Sequence, residues 1–246
     1  MDTLGEIIQE CRKIVNDDNY TYAKQWRREN DKRVLIGIIP NYIPREIIHA
    51  ANGLAVGIIG SEFRNPNYQN SELSASESCS MLTGIFELVN SSGHEEFDGF
   101  VLPSQCRTLK TFKEIIELNS KHKFIKFMNF PQYFQTIIGD IINHHFVHSV
   151  LEEIFKINGI KVTAEMLNSS IQLYRNNLKM TERIYSIRQK YPEKLSQEDL
   201  YNIVFAGLLI PIESHNDMLG RAIDLLLEGS LELSDNIFEF FSGAFC

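Results

Sequence analysis

The apolar positions change their period twice along the chain. Over residues 3–29 they recur at helical spacing. Leu4, Ile7, Ile8, Cys11, Ile14 and Val15 share one stripe, which predicts an amphipathic helix with Cys11 as a packing residue. Trp26 reads as the anchor of this segment. At 34–39 the stripe gives way to an uninterrupted apolar run ending at Pro40, the pattern of a strand buried on both faces. Pro44, Arg45 and Glu46 then open a helix, with proline near the first turn and an acidic residue suited to the helix dipole. Ile47, Ile48, Ala50 and Ala51 continue it, and Gly53 reads as its end. Further strands are expected at 56–59, at 97–102 before Pro103, and at 124–127 before Pro131. Between them lie a polar loop over 61–78, a helix beginning near Cys79 and another over 109–118. This alternation predicts an α/β domain with a mostly parallel sheet over 33–132, preceded by a helical segment over 1–32.

From 133 to 230 the pattern is helical, with helices expected at 138–158, 163–191, 196–208 and 213–229 and with Gly159, Pro192 and Pro211 as punctuation. Ser196 and Asp199 have the spacing of a capped helix start. The segment 231–246 carries one more strand-like run at 236–241, followed by a turn at 242–244. That strand either joins the first sheet or begins another domain, because its backbone groups need partners.

Composition narrows the possible partners. The 246 residues are 43% hydrophobic and 23% charged, which excludes intrinsic disorder. A formal charge of −8 argues against nucleic acid as a partner, leaving only a local basic pocket for a phosphorylated ligand. No run approaches the roughly 18 apolar residues of a membrane span. The N-terminus lacks the basic start and apolar core of a signal peptide. The expectation is a cytoplasmic protein with no membrane partner. Four cysteines in that compartment point to thiol, metal or catalytic chemistry over structural disulfides.

Cys106 is the most suggestive position. It follows the strand ending in Leu102, Pro103 and Ser104 and precedes a helix, so it sits where parallel sheets place their ligands. A helix start and the adjacent Arg107 favour a thiolate; the competing reading is a buried structural thiol. Cys79 also lies between a loop and a helix. The two suit one shared metal centre, although no close CxxC pair exists and zinc-ribbon or ferredoxin-like motifs are excluded. Asp140, His144 and His148 fall on one helix face with His145 beside them, giving either a metal site or a solvated face. Arg107, Lys110, Lys113, Lys121, Lys123 and Lys126 form the most basic stretch, either a phosphate contact or a solvated surface. No phosphate-binding glycine loop is present.

Pro44-Arg45-Glu46-Ile47-Ile48-His49-Ala50-Ala51 resembles the benzoyl-CoA reductase/2-hydroxyacyl-CoA dehydratase family, particularly its ATP-dependent reductase branch. The likeness continues in residues 23–26, in 100–106, in Asn129-Phe130-Pro131-Gln132 and in 163–167. It extends through Pro211-Ile212-Glu213-Ser214-His215-Asn216 and 242–246. The resemblance implies a flavodoxin-like α/β domain followed by helices, with a second α/β domain of which 231–246 is only the start. It further implies an iron–sulfur subunit, or its N-terminal part, acting on an acyl-CoA thioester. The partners implied are a sister subunit of the same family and an ATP-hydrolysing activator that donates low-potential electrons, in an oxygen-sensitive, anaerobic chemistry. Cys79 and Cys106 match two of the family's ligand positions for a [4Fe-4S] cluster, with the remaining ligands shared or missing. Glu46 and His49 are the candidates for lining the acyl-CoA site as catalytic residues. Arg107 stands where the family commonly has Asp, and Ser80, Met81 and Leu82 replace basic residues after the first cysteine. These departures support an alternative, a non-catalytic relative that binds a full-length subunit.

Overall fold

The computed structural model describes residues 3–39, 42–58, 96–104, 122–128 and 137–228. Two short helices lead into the sheet. In α1 (Leu4–Val15) Thr3 caps the first turn, its hydroxyl accepting from the Glu6 N–H while the Glu6 carboxylate accepts from the Thr3 N–H. The expected stripe faces inward, with Ile7, Cys11, Ile14 and Val15 buried. α2 (Thr21–Arg28) carries Trp26, whose ring lies under the Arg33 guanidinium at 4.5 Å.

Among the described residues the strands are β1 (Val34–Ile38), β2 (Gly53–Gly57), β3 (Gly99–Pro103) and β4 (Phe124–Met128). They form one sheet in the order β2-β1-β3-β4, with every neighbouring pair parallel. This is the order in which flavodoxin-like folds begin, and it places the reversal of winding between β1 and β3. Six-residue α3 (Arg45–Ala50) connects β1 to β2. The helical segment comprises α4 (Ile137–Asn158), α5 (Ala164–Lys190), α6 (Gln197–Ala206) and α7 (Ile212–Leu227). Ser196 caps α6 by accepting from the Asp199 N–H, as the spacing predicts. The helices expected near Cys79 and over 109–118 and the strand at 236–241 lie outside the described residues.

Alternation along β1 sorts the core into two faces. Leu35, Leu54, Val56, Phe100 and Leu102 pack with residues of α1, α2, α5, α6 and α7. Val34, Ile36, Ile38, Ala55 and Val101 pack with Ile47 and Ile48 of α3 and Phe146, Val150 and Ile154 of α4. The sheet is thus covered on both sides, which is why its strands read as continuous apolar runs. Gly37 is required by this packing, because a Cβ there would lie 2.5 Å from the Phe100 ring and 2.6 Å from Ile58 Cδ1.

Two boundaries differ from the sequence expectation. Gly53 begins β2 instead of ending α3. Asn52, with φ 59°, turns the chain, and Gly53 pairs directly with Val34. Pro103 belongs to β3 rather than stopping it. It pairs with Met128, and the missing donor is bypassed by the Ser104 N–H, which donates to the Met128 carbonyl at 2.8 Å.

One buried carboxylate joins the amino ends of three strands. Asp98, 4% exposed, accepts from the Leu35 N–H at 2.9 Å, Arg27 Nε at 3.0 Å and Lys123 Nζ at 2.5 Å. Burial pushes its carboxyl up, but the bonds from Arg27, Lys123 and Leu35 outweigh that and hold it below the ordinary aspartate range. Asp98→Ala leaves Arg27 without its carboxylate partner and should lower unfolding free energy by about 3 kcal/mol in urea titrations at neutral pH. Because the folded carboxyl has the lower pKa, its contribution is present above the ordinary aspartate range and is lost as pH falls. The gap between parent and variant should narrow in acid.

Candidate functional site

The opposite edge of the sheet gathers the polar side chains. A parallel sheet puts all its strand carboxyl ends on one edge, and the winding of this sheet reverses between β1 and β3. Ser104, buried at the end of β3, is the last described residue before Cys106 in the sequence. Cys79, Cys106 and Cys246 lie outside the described residues, as do Arg107, Lys110, Lys113 and Lys121. Cys11 is inside them and is a packing thiol. It is fully buried, with Sγ 3.0 Å from Met218 Sδ, and burial pushes its pKa up to about 12.

α3 follows β1, with Arg45 and Glu46 in its first turn and His49 in its last, and contacts α5 and α7. His49 Nδ1 lies 2.9 Å from Ser170 Oγ and Nε2 lies 2.9 Å from Glu213 Oε1. The Ser170 hydroxyl donates to the Glu46 carbonyl at 2.7 Å. Tyr174 stands one turn along α5, its ring edge-on to His49 at 5.9 Å and under the Arg45 guanidinium at 5.3 Å. Burial pushes the Tyr174 phenol up, with the Arg45 charge opposing and Glu46 and Glu213 adding to the rise.

The corner between α6 and α7 completes the group. The Gly57 N–H donates to the Leu208 carbonyl at 2.7 Å and Arg45 Nη2 donates to the Gly207 carbonyl at 2.6 Å, so this corner is tied to the ends of β2 and α3. Gly207 accepts no side chain, because a Cβ there would lie 2.3 Å from the His215 ring. His215 is 1% exposed; its Nε2–H donates to the Ile203 carbonyl at 2.9 Å and its Nδ1 accepts from Asn177 Nδ2 at 2.7 Å. Burial brings its pKa down to about 4, helped by Arg45 and opposed by the bond to Ile203, so the ring is neutral. Asn177 also donates to Asn216 Oδ1 at 2.8 Å. The segment Glu213–Asn216 therefore acts as one unit, with Glu213 reaching His49 and His215 locking α7 against α5 and α6.

Of the residues singled out from sequence, Glu46 and His49 are brought together here. Their partners Ser170, Tyr174 and Asn177 are not evident from the sequence pattern. The one signal they leave is a spacing of four and then three residues, a polar stripe on the inner face of α5. His144, His145 and His148 are exposed on α4, and His148 Nδ1 faces Glu152 at 3.3 Å, one turn further along the helix. Among the described residues no cluster of three His, Cys, Asp or Glu side chains is placed to hold a metal ion. Lys123 and Lys126, from the basic stretch, are paired with Asp98 and Glu153. No helix among the described residues is long and apolar enough to cross a membrane.

The sequence model of the family described as 2-hydroxyglutaryl-CoA dehydratase, D-component, matches residues 40–237. One of the benzoyl-CoA reductase subunits of Thauera aromatica is 29% identical over 242 residues, covering 98% of this chain and 63% of its own length. The beta subunit of (R)-2-hydroxyglutaryl-CoA dehydratase from Acidaminococcus fermentans is 22% identical over 191 residues, 77% of this chain and 49% of its own. The (R)-phenyllactyl-CoA dehydratase beta subunit of Clostridium sporogenes is 22% identical over 231 residues, 91% of this chain and 59% of its own. The chain thus spans about half to under two thirds of the length of these relatives.

The bond from His49 holds the Glu213 carboxyl below the ordinary glutamate range despite burial. Its stabilising contribution is present above that range and is lost as pH falls through the lower folded value. Glu213→Gln should therefore flatten the acid limb of urea-unfolding stability below about pH 4.5, the ordinary value. The decline that His215 imposes between its ordinary 6.5 and about 4 should remain in parent and variant alike.

Proposed function

Because the chain belongs to the 2-hydroxyglutaryl-CoA dehydratase D-component family, we propose that it serves as an iron–sulfur subunit of an acyl-CoA reductase or 2-hydroxyacyl-CoA dehydratase, of benzoyl-CoA reductase type. The observation that carries this reading is the family match over residues 40–237, which includes the β1–α3 and β3 carboxyl ends where a parallel sheet gathers ligands. Cys106 comes two residues after Ser104 at one of those ends, and Cys79 lies between β2 and β3 in the sequence.

In this reading the thiolates of Cys79 and Cys106 hold a [4Fe-4S] cluster. Cys11 is unsuited to join them, because its thiol is buried and its pKa stands at about 12. Two cysteines leave the ligand set of such a cluster incomplete, and the remaining positions fall to groups outside this pair. When bound, the cluster supplies single low-potential electrons to the acyl-CoA. The chain's own contribution is to bind and orient. Glu46 and His49, in α3, line the thioester side of the site, and Arg107, Lys110 and Lys113 of the basic stretch meet CoA phosphates. A sister subunit of the same family and an ATP-hydrolysing activator are the partners, in an anaerobic cytoplasm.

Iron and acid-labile sulfide should be near-stoichiometric in the parent chain purified without oxygen. Both should fall to background in Cys79→Ser and in Cys106→Ser, with far-UV circular dichroism unchanged. Variants that hold as much iron as the parent would falsify the ligand assignment.

A further inference from the structure

The contacts around His49 occupy both ring nitrogens. Nδ1 lies 2.9 Å from Ser170 Oγ, and the Ser170 hydroxyl in turn lies 2.7 Å from the Glu46 carbonyl, which only accepts. Nε2 lies 2.9 Å from the Glu213 carboxylate. Each ring nitrogen is thus taken up by a protein partner. Glu46 differs. Its backbone carbonyl is held by Ser170, while its carboxylate makes no side-chain hydrogen bond or ion pair among the described residues and acts on Tyr174 through its charge alone.

The groups facing His49 come from every neighbouring element. Arg45 and Glu46 share α3, Tyr174 and Ser170 stand on α5, and Glu213 and the neutral His215 on α7; Arg33 adds a positive field at Glu213. We propose that His49 is a positioning residue: bonded through both ring nitrogens to Ser170 and Glu213, it fixes the first turn of α3 and with it the place of the Glu46 carboxylate near Tyr174. This rests on the function proposed above only for the identity of the ligand that Glu46 meets.

The test follows the side-chain carboxyl resonances of the full chain labelled with 13C-glutamate, assigned with Glu46→Gln and Glu213→Gln. His49→Phe removes both ring nitrogens. Ser170→Ala removes only the bonds to Glu46 and Nδ1 and keeps the proposal testable if the first variant fails to fold. The expected result is a displaced Glu46 carboxyl resonance in each folded variant, and a Glu213 titration moved up toward the ordinary glutamate range in His49→Phe. A general loss of stability would not single out these two carboxyls. Glu46 resonances that coincide with the parent's in both folded variants would overturn the proposal. Benzoyl-CoA added to the parent chain forms a separate arm. A Glu46 resonance that ignores benzoyl-CoA but still depends on His49 overturns the acyl-CoA reading and upholds the positioning role.

Discussion

Asp98 is the interaction on which the sheet's geometry depends. One buried carboxylate accepts from the start of β1, from α2 and from the residue before β4, and it stands itself just before β3. A charge at 4% exposure is tolerable only because three donors surround it. By tying the amino ends together, it leaves the carboxyl edge of the sheet to other groups. Structural cost and chemical opportunity are thereby placed on opposite edges of one sheet.

At the carboxyl edge the same physics is used differently. His49, Ser170 and Glu213 form a partly exposed hydrogen-bonded chain that ends on a carboxylate, while His215, Asn177 and Asn216 form a neutral one around the buried His215. The buried network specifies how α7 seats on α5 and α6, and the close approach of Gly207 to the His215 ring makes that seating specific. The partly exposed network then reaches back to α3. Two long-range contacts, across 121 and 164 residues of sequence, therefore determine where a six-residue helix points.

Much of the fold is legible in the sequence because burial on both faces leaves a plain mark. The apolar run at 34–39 is a strand, and the stripe ending in Val15 is buried as its period requires. The boundary at Gly53 is ambiguous because a glycine ends helices and begins crowded strands equally well; pairing with Val34 decides between them. Asp98 leaves a signal of its own, an acidic residue inside an apolar run. In the site, Glu46 and His49 can be named from their place after a strand. Ser170, Tyr174 and Glu213 cannot, because their roles come from tertiary contacts that no local pattern encodes. The histidines of α4 show the converse, a metal-like spacing on an exposed face.

The central claim is that a parallel sheet pinned at its amino edge offers its carboxyl edge to an iron–sulfur cluster and an acyl-CoA. The most direct measurement is anomalous diffraction at the iron edge from crystals grown without oxygen. The account predicts an iron peak beyond the carboxyl ends of β1 and β3, bonded to the sulfurs of Cys79 and Cys106. Iron bound at His144 and His148 on α4, or no iron in crystals of freshly purified protein, would contradict it.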